Sequence, residues 1–296
     1  MHKIILLSII TLLFFSCSSS IPEFDEEEAF TFLQAQCDLG PRPPGSDEIE
    51  LCRNYITGEL KKYGATVNKQ EFTTVINDIE YNGINIIASF YPRMSRRILL
   101  GAHYDTRPWA DKEKDSNLHK TPIIGANDAA SGVAVLLELV SIISQKQPPQ
   151  FGIDLVFFDL EDMGEYGNNE SWCLGSSYFA ENFTEVKPEK AIIVDMIGDT
   201  DLEINMEYFS YHNSPNLVNE VWDTAKDLGF TEFKSKITNK IYDDHYPLIV
   251  HGFNAIDIID FEYPFWHTLE DTPDKCSPHS LYVVGQTLLN IIYKEK

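Results

Sequence analysis

The sequence has few basic residues and few cysteines. Its 296 residues contain 23 Lys and Arg against 46 Asp and Glu, so the net charge is -23. This balance argues against nucleic acid as a partner, because phosphate backbones are bound by Lys and Arg. An acidic surface keeps a protein soluble and favours basic ligands. None of the five cysteines belongs to a C-x-x-C pair, which argues against a zinc site built from cysteines.

The sequence also lacks internal repeats and low-complexity segments. Its apolar N-terminal stretch, 4–15, follows Lys3 and is too short to span a bilayer as a mature helix. This pattern predicts a signal peptide over 1–16. Cys17 then resembles the lipidated cysteine of a bacterial lipoprotein, and ordinary cleavage near Ser20 is the alternative. We expect an exported protein, periplasmic or membrane-anchored, that contacts the membrane through the lipid. The pairing of the other cysteines stays open: Cys37, Cys52, Cys173 and Cys276.

Hydrophobic periodicity predicts one α/β domain over 29–296, preceded by an acidic tether over 17–28. Helices are predicted over 29–39, 46–64, 133–143, 175–182, 216–228, 243–250 and 281–293. Strands are predicted over 66–75, 85–91, 97–102, 153–158, 191–197 and 255–260. Because strands alternate with helices, we expect a mixed, mostly parallel central sheet with helices on both faces. No domain boundary is evident within the domain, and we expect a monomer.

Acids and histidines follow several of the predicted strands. The strand over 153–158 is followed directly by Asp159, Glu161 and Asp162. A single acid at a strand end is usually a helix cap or a turn former. Five separate apolar runs end this way, however, and ligands bind beyond the carboxyl ends of strands in open α/β sheets. Carboxylate oxygens and imidazole nitrogens are ligands of catalytic zinc. The other members of the set are His103, Asp105, Asp128, Asp195 and His267.

Five ordered segments resemble the motifs of the zinc aminopeptidases of peptidase family M28. They are 101–105, 125–132, 158–162, 195–198 and 266–268, and the resemblance extends from about 46 to the C-terminus. In the aminopeptidase branch, it implies two zinc ions with Asp128 as the bridging ligand. The remaining ligands implied for that branch are His103, Asp162, Asp195 and His267.

The second branch of this superfamily is the animal-type glutaminyl cyclases, which use one zinc ion. The resemblance implies Asp128, Asp162 and His267 as ligands and Glu161 as the general acid/base. Asp162 takes the place of a second Glu in the animal pattern. The segments 103–109 and 172–175 resemble bacterial members of the cyclase branch.

Three further residues favour the cyclase. Asp243 lies in a segment that resembles the one whose Asp shares a buried acid network with the counterpart of Asp195. Trp266, directly before His267, resembles an aromatic wall of the cyclase pocket, and Trp172 is placed to form the other wall. The alternative for either tryptophan is packing in the core or on the surface.

The resemblance therefore implies a zinc-dependent aminoacyltransferase that acts on peptides or proteins with an N-terminal glutamine. Glu161 would move protons, with Asp195 and Asp243 as its partners, and Trp172 and Trp266 would bind the substrate. The product would be pyroglutamate, with release of ammonia. The alternative is an aminopeptidase in which Glu161 activates a metal-bound water. A ligand-binding protein on a decayed enzyme fold is disfavoured, because every expected ligand and the base are present.

Overall fold

A six-stranded sheet in the order β1-β2-β4-β3-β5-β8 forms the centre of the molecule. The computed structural model describes residues 21–294, so the predicted signal over 1–16 and Cys17 lie outside the described residues. The strands are β1 Thr66–Ile76, β2 Ile79–Phe90, β3 Arg97–His103, β4 Gly152–Phe158, β5 Lys190–Asp195, β6 Ile204–Met206, β7 Phe233–Ile237 and β8 Ala255–Ile259. The helices are α1 Glu26–Cys37, α2 Asp47–Lys62, α3 Gly132–Gln145, α4 Leu174–Glu181, α5 Tyr208–Asn213, α6 Pro215–Asp227, α7 His245–Val250 and α8 Pro278–Tyr293.

The sheet is mixed and mostly parallel, as predicted. β1 and β2 form an antiparallel hairpin, and β2 joins β4 in antiparallel orientation. The remaining neighbours, from β4 through β3 and β5 to β8, pair in parallel. Because parallel strands end at the same edge of a sheet, the residues that follow β3, β4, β5 and β8 converge there.

Apolar clusters cover both faces of the sheet. Along β3, Ile98 and Leu100 belong to the large cluster that contains the apolar face of α3. Leu99, between them, belongs to the cluster with Phe179 of α4. Successive side chains of a strand point to opposite faces, so this alternation confirms that helices cover both sides.

The N-terminal segment is more ordered than the predicted tether. The first helix begins at Glu26 rather than at residue 29, because Asp25 caps it by accepting hydrogen bonds from the backbone N–H groups of Glu27 and Glu28. Acidic residues are stabilising in the first turn of a helix. Phe24 is buried, and its backbone N–H donates to Gln286 of α8 over 2.8 Å. The described part of the predicted tether, 21–28, is therefore part of the folded domain.

Three short elements were not predicted: β6, β7 and α5. β6 and β7 form a separate two-stranded parallel sheet. The strand predicted over 85–91 begins earlier, at Ile79, and turns back onto β1 through Asn77 and Asp78 in left-handed backbone conformation, which is typical of a tight hairpin turn. The four cysteines of the described chain are buried and unpaired.

Candidate active site

The eight side chains that the cyclase interpretation assigns to the site line one small pocket, with a volume of about 50 Å³. The pocket lies at the edge of the sheet where the parallel strands end. The eight residues are Asp128, Glu161, Asp162, Trp172, Asp195, Asp243, Trp266 and His267.

The turn after β4 aims Glu161 and Asp162 at the pocket. Leu160 adopts a left-handed conformation with φ of 57°, which is costly for a residue with a side chain and must be held by its surroundings. Asp105 helps to stabilise this turn. Its carboxylate accepts hydrogen bonds from the backbone N–H groups of Glu161 at 3.1 Å and Asp162 at 3.2 Å. Asp105 thus fixes the backbone of both acidic residues.

Asp159, the first acid after β4, has a structural role. Its buried carboxylate pairs with Arg53. It also accepts hydrogen bonds from the Tyr104 hydroxyl and the Ile84 backbone N–H, each at 2.8 Å.

Asp128, Asp162 and His267 form a group whose ligand atoms lie within 4.8 Å of one another. His267 Nε2 is 3.1 Å from Asp162 Oδ1 and 3.6 Å from Asp128 Oδ2. Asp162 Oδ2 is buried and has no hydrogen-bond partner among the described residues. Two carboxylates and one imidazole suit catalytic zinc, so these residues fit one zinc ion.

A second group of this kind shares Asp128 with the first. His103 Nε2 lies 3.1 Å from Asp128 Oδ1 and 3.2 Å from Asp195 Oδ1. The three ligand atoms again lie within 4.8 Å of one another. The geometry therefore accommodates either one or two ions.

Residues outside the predicted set orient two of these side chains. Asp271 accepts hydrogen bonds from the backbone N–H groups of Asn127 at 2.8 Å and Asp128 at 3.2 Å. Asp111 Oδ1 lies 3.3 Å from His267 Nδ1, the arrangement in which a metal-binding histidine is usually held by a carboxylate. Arg107 in turn donates to Asp111 Oδ2 at 2.6 Å. Asp111 and Asp271 were not predicted as site residues, because each lies in a loop and follows no predicted strand.

Aromatic rings enclose His267. The Trp172 ring is nearly parallel to the imidazole, with an interplanar angle of 7° and centroids 6.1 Å apart. The centroid of Trp266 lies 4.0 Å from that of His267. Tyr166 contacts both indoles edge-on, and its hydroxyl lies 3.1 Å from His267 Nδ1. Gly164 permits this packing, since a Cβ atom there would lie 1.9 Å from the Trp172 ring.

Several buried acidic side chains line the pocket. Burial raises the pKa of Glu161 well above its usual value, and the negative charges of Asp162 and Asp243 raise it further. Burial likewise raises the pKa of Asp243, with a further contribution from Asp195. Neighbouring carboxylates in a buried site cannot all ionise. Glu161 also accepts a hydrogen bond from the Cys173 thiol at 3.3 Å. The site can therefore hold protons that exposed carboxylic acids would release.

Comparison with known proteins identifies the family. The model of peptidase family M28 matches residues 85–292. A glutaminyl cyclase of Bacteroides thetaiotaomicron, solved with N-acetylhistamine, is 38% identical with a TM-score of 0.90, over 93% of this chain and 100% of that one. A leucine aminopeptidase precursor from the same organism is 38% identical with a TM-score of 0.89, over 93% and 99%.

A curated relative from an animal also matches. The glutaminyl-peptide cyclotransferase of Bos taurus is 22% identical over 281 residues, which cover 81% of this chain and 75% of that protein. The family match, together with the 38% identity to solved relatives over nearly the whole chain, confirms the resemblance predicted from the motifs. The chain therefore belongs to peptidase family M28.

Proposed function

We propose that the protein is a glutaminyl-peptide cyclotransferase, which converts the N-terminal glutamine of peptides and proteins to pyroglutamate and releases ammonia. The observation that carries this proposal is the pair of indoles, Trp172 and Trp266, that flank His267 in the small pocket containing Glu161. Flat walls suit the planar amide and the aliphatic stem of a glutamine side chain. The 38% identity to a bacterial glutaminyl cyclase supports the same reaction.

Asp128, Asp162 and His267 would hold one zinc ion. When bound, the zinc would act as a Lewis acid towards the oxygen of the glutamine side-chain amide. Asp111, facing His267 Nδ1, would keep the imidazole in the orientation that ligation requires. Arg107, which donates to the Asp162 carbonyl oxygen at 2.9 Å, would hold the backbone of the second ligand.

Glu161 would carry the proton between the two nitrogens. The α-amine of the substrate attacks the carbon of its own side-chain amide, so that the ring C–N bond forms. The bond from that carbon to the amide nitrogen then breaks, and ammonia leaves. Glu161 takes a proton from the attacking amine and returns it to the leaving nitrogen. One carboxylate serves both steps because the two nitrogens are attached to the same carbon.

The aromatic walls would also limit the access of water. Water competes with the α-amine as a nucleophile, and its attack would give glutamate instead of pyroglutamate. Trp172 is held in place by the hydrogen bond from its Nε1–H to the Glu165 carbonyl at 3.2 Å.

An aminopeptidase is the second candidate, and two observations favour it. The group of His103, Asp128 and Asp195 offers ligands for a second ion, and a relative of equal identity is described as a leucine aminopeptidase precursor. In that reaction water would be the nucleophile, and Glu161 would remove its proton.

The two functions differ in the nucleophile, so paired dipeptides separate them. The purified, zinc-loaded protein is incubated with a dipeptide that begins with Gln and with one that begins with Leu. Ammonia release from the first with no free Leu from the second supports the cyclase, whereas free Leu contradicts it. Metal analysis gives an independent measure, since the cyclase should hold about one zinc per chain and the peptidase about two.

We further propose that the enzyme acts outside the cytoplasm as a monomer, anchored through a lipid on Cys17. The support for export and lipidation is the sequence of residues 1–17. Metabolic labelling with a fatty acid should mark the full-length protein and leave Cys17→Ala unlabelled. Recovery of an unlabelled wild-type protein in the soluble periplasmic fraction would contradict lipidation.

A further inference from the structure

A lysine that the mechanism above does not use lies beside the candidate active site. Lys112 is exposed, and its Nζ atom lies 4.4 Å from the centroid of the Tyr166 ring and 5.1 Å from that of Trp266. Both aromatic residues belong to the group of rings that encloses His267. The loop over 110–122 therefore places one positive charge against the walls of the pocket.

The backbone of Lys112 is attached to the segment that carries His267. The Lys112 N–H donates to the His267 carbonyl at 3.2 Å. The carboxylate of the next residue, Glu113, accepts a hydrogen bond from the Leu269 backbone N–H at 2.9 Å. Two long-range contacts at consecutive positions thus fix the point from which the lysine side chain starts, and only its flexible four-carbon stem can move.

The charge of Lys112 is not paired with an acid of the protein. No ion pair among the described residues, 21–294, includes Lys112, and the neighbouring Asp111 pairs with Arg107 and faces His267 instead. Attraction to the aromatic faces keeps the ammonium group over the two rings. Its N–H donors remain available, because a lysine ammonium group has several of them and rings do not use them all.

A bound peptide has to pass this position as it leaves the pocket. The pocket has a volume of only about 50 Å³, so the residues after the N-terminal one lie outside it. Tyr166 is 53% exposed and contacts the edges of Trp172 and Trp266, so it marks the side on which the walls meet solvent. The second residue of a peptide whose first side chain lies between the two indoles is therefore next to Tyr166 and Lys112.

We propose that Lys112 determines specificity by binding a carboxylate on the second residue of the substrate, so that peptides with Asp or Glu at this position are preferred. An ammonium group attracts a carboxylate at short range. The net charge of -23 repels an acidic peptide as a whole, but salt screens this repulsion beyond about 8 Å at physiological ionic strength. The inference rests on the proposed function in one respect: the N-terminal residue occupies the pocket, as both the cyclase and the peptidase require.

The test measures binding without turnover, in the zinc-loaded Glu161→Gln protein. Calorimetry compares three peptides that begin with Gln, carry Glu, Gln or Lys as the second residue, and end in an amide. We expect Kd to be about 2- to 5-fold lower for the peptide with Glu second than for the one with Gln second, the size usual for an exposed ion pair. Adding Lys112→Met should abolish this preference, Lys112→Arg should keep it, and Lys112→Glu should transfer it to the peptide with Lys second.

Lys187→Glu is the matched control for the charge reversal. Lys187 also lies over an aromatic ring, 5.4 Å from the Phe253 centroid, but neither residue lines the pocket. Its Kd values for the three peptides should equal those of the Glu161→Gln protein alone. A dipeptide of Gln and Ala, with a free and with an amidated C-terminus, separates a carboxylate at the chain end from one on a side chain.

Three results would overturn the role of Lys112. The first is the same order of Kd values in Lys112→Met and Lys112→Glu as in their parent protein. The second is a preference that depends on Lys112 for the free C-terminus alone, and the third is the absence of binding by every peptide. Ammonia release is measured separately, in the protein with Glu161 intact. Its absence would contradict the cyclase, and the Kd series would then use peptides that begin with Leu, so the two failures are distinguished.

Discussion

Two acids of the pocket, Glu161 and Asp162, follow β4. Asp162 belongs to a group of metal ligands that contains Asp128, whereas Glu161 belongs to neither of the two groups that share Asp128. We therefore expect Glu161→Gln to lose activity by about 10²–10⁴-fold, the usual contribution of a general acid/base, and to keep its zinc. Turnover of a Gln dipeptide measures the loss of activity, and metal analysis of the same sample measures the zinc content. A variant that retains near wild-type kcat would remove Glu161 from the proton transfer.

The absence of a side chain at Gly164 allows the Trp172 ring to occupy its position beside the pocket. A Cβ atom added there would lie 1.9 Å from the indole, so Gly164→Ala must displace the ring. We expect KM for Gln peptides to rise roughly 10-fold, within the ~1–3 kcal/mol that a small change in a pocket wall costs. Gly58→Ala is the control, because Gly58 lies in α2 with no atom near the new Cβ. Equal KM values for the two variants would show that Trp172 does not contact the substrate.

Site side chains that follow apolar runs could be predicted from sequence, whereas the side chains that orient them through hydrogen bonds could not. Asp128, Asp162 and His267 were candidates because each follows an apolar run, as expected for residues at the edge of a parallel sheet, and the resemblance to known motifs implied their role as ligands. Asp271 supports Asp128 across 143 residues of chain. Such contacts depend on tertiary packing, and Asp271 stands in no local pattern that signals its partner.

At the scale of elements, the N-terminal segment is a structural part of the domain. The Phe24 ring occupies the space left by Gly285, where a Cβ atom would lie 2.3 Å from the ring. We expect Phe24→Ala to lower the free energy of unfolding by about 3–5 kcal/mol, which corresponds to a fall in Tm of roughly 10 °C. Calorimetry measures this change, and kcat below the transition should be unaffected.

Val186→Ala is the control for Phe24→Ala, since Val186 is 87% exposed and its truncation should cost less than about 0.5 kcal/mol. A Phe24→Ala protein with the same Tm as this control would show that the segment 21–25 does not stabilise the domain.

The elements missed from sequence are the short ones. β6 has only three residues, and β7 is exposed along most of its length. The stability of such strands comes from pairing with a partner rather than from their own sequence. α5 depends on its cap, because Glu207 accepts the N–H groups of its first turn, and a glutamate is not among the usual N-cap residues. The long helices, by contrast, were predicted to within a few residues.

For the whole molecule, the excess of acid extends into the interior. Besides the acids of the pocket, Glu138 is buried in α3, and one of its carboxylate oxygens has no hydrogen-bond partner among the described residues. Burial raises the pKa of Glu138 to about 8, and the charges of Asp25 and Glu28 add to the shift. This group lies outside the catalytic pocket, so its titration can be followed through stability alone.

The sign of the effect follows from linkage. Between the ordinary value of 4.5 and about 8, the folded chain keeps the Glu138 proton that the unfolded chain releases. The stability that Glu138 contributes is therefore complete below pH 4.5 and is lost as the pH rises towards 8. Glu138→Gln cannot ionise, and its amide oxygen can still accept the hydrogen bond that the Asp25 backbone N–H gives to Glu138. We expect its advantage over the wild type in the free energy of unfolding to grow by roughly 1–3 kcal/mol from pH 5 to pH 9, with a corresponding growth of the difference in Tm. Melting curves of both proteins across this range test the expectation. A difference in Tm that is constant with pH would show that Glu138 titrates alike in the folded and unfolded chains.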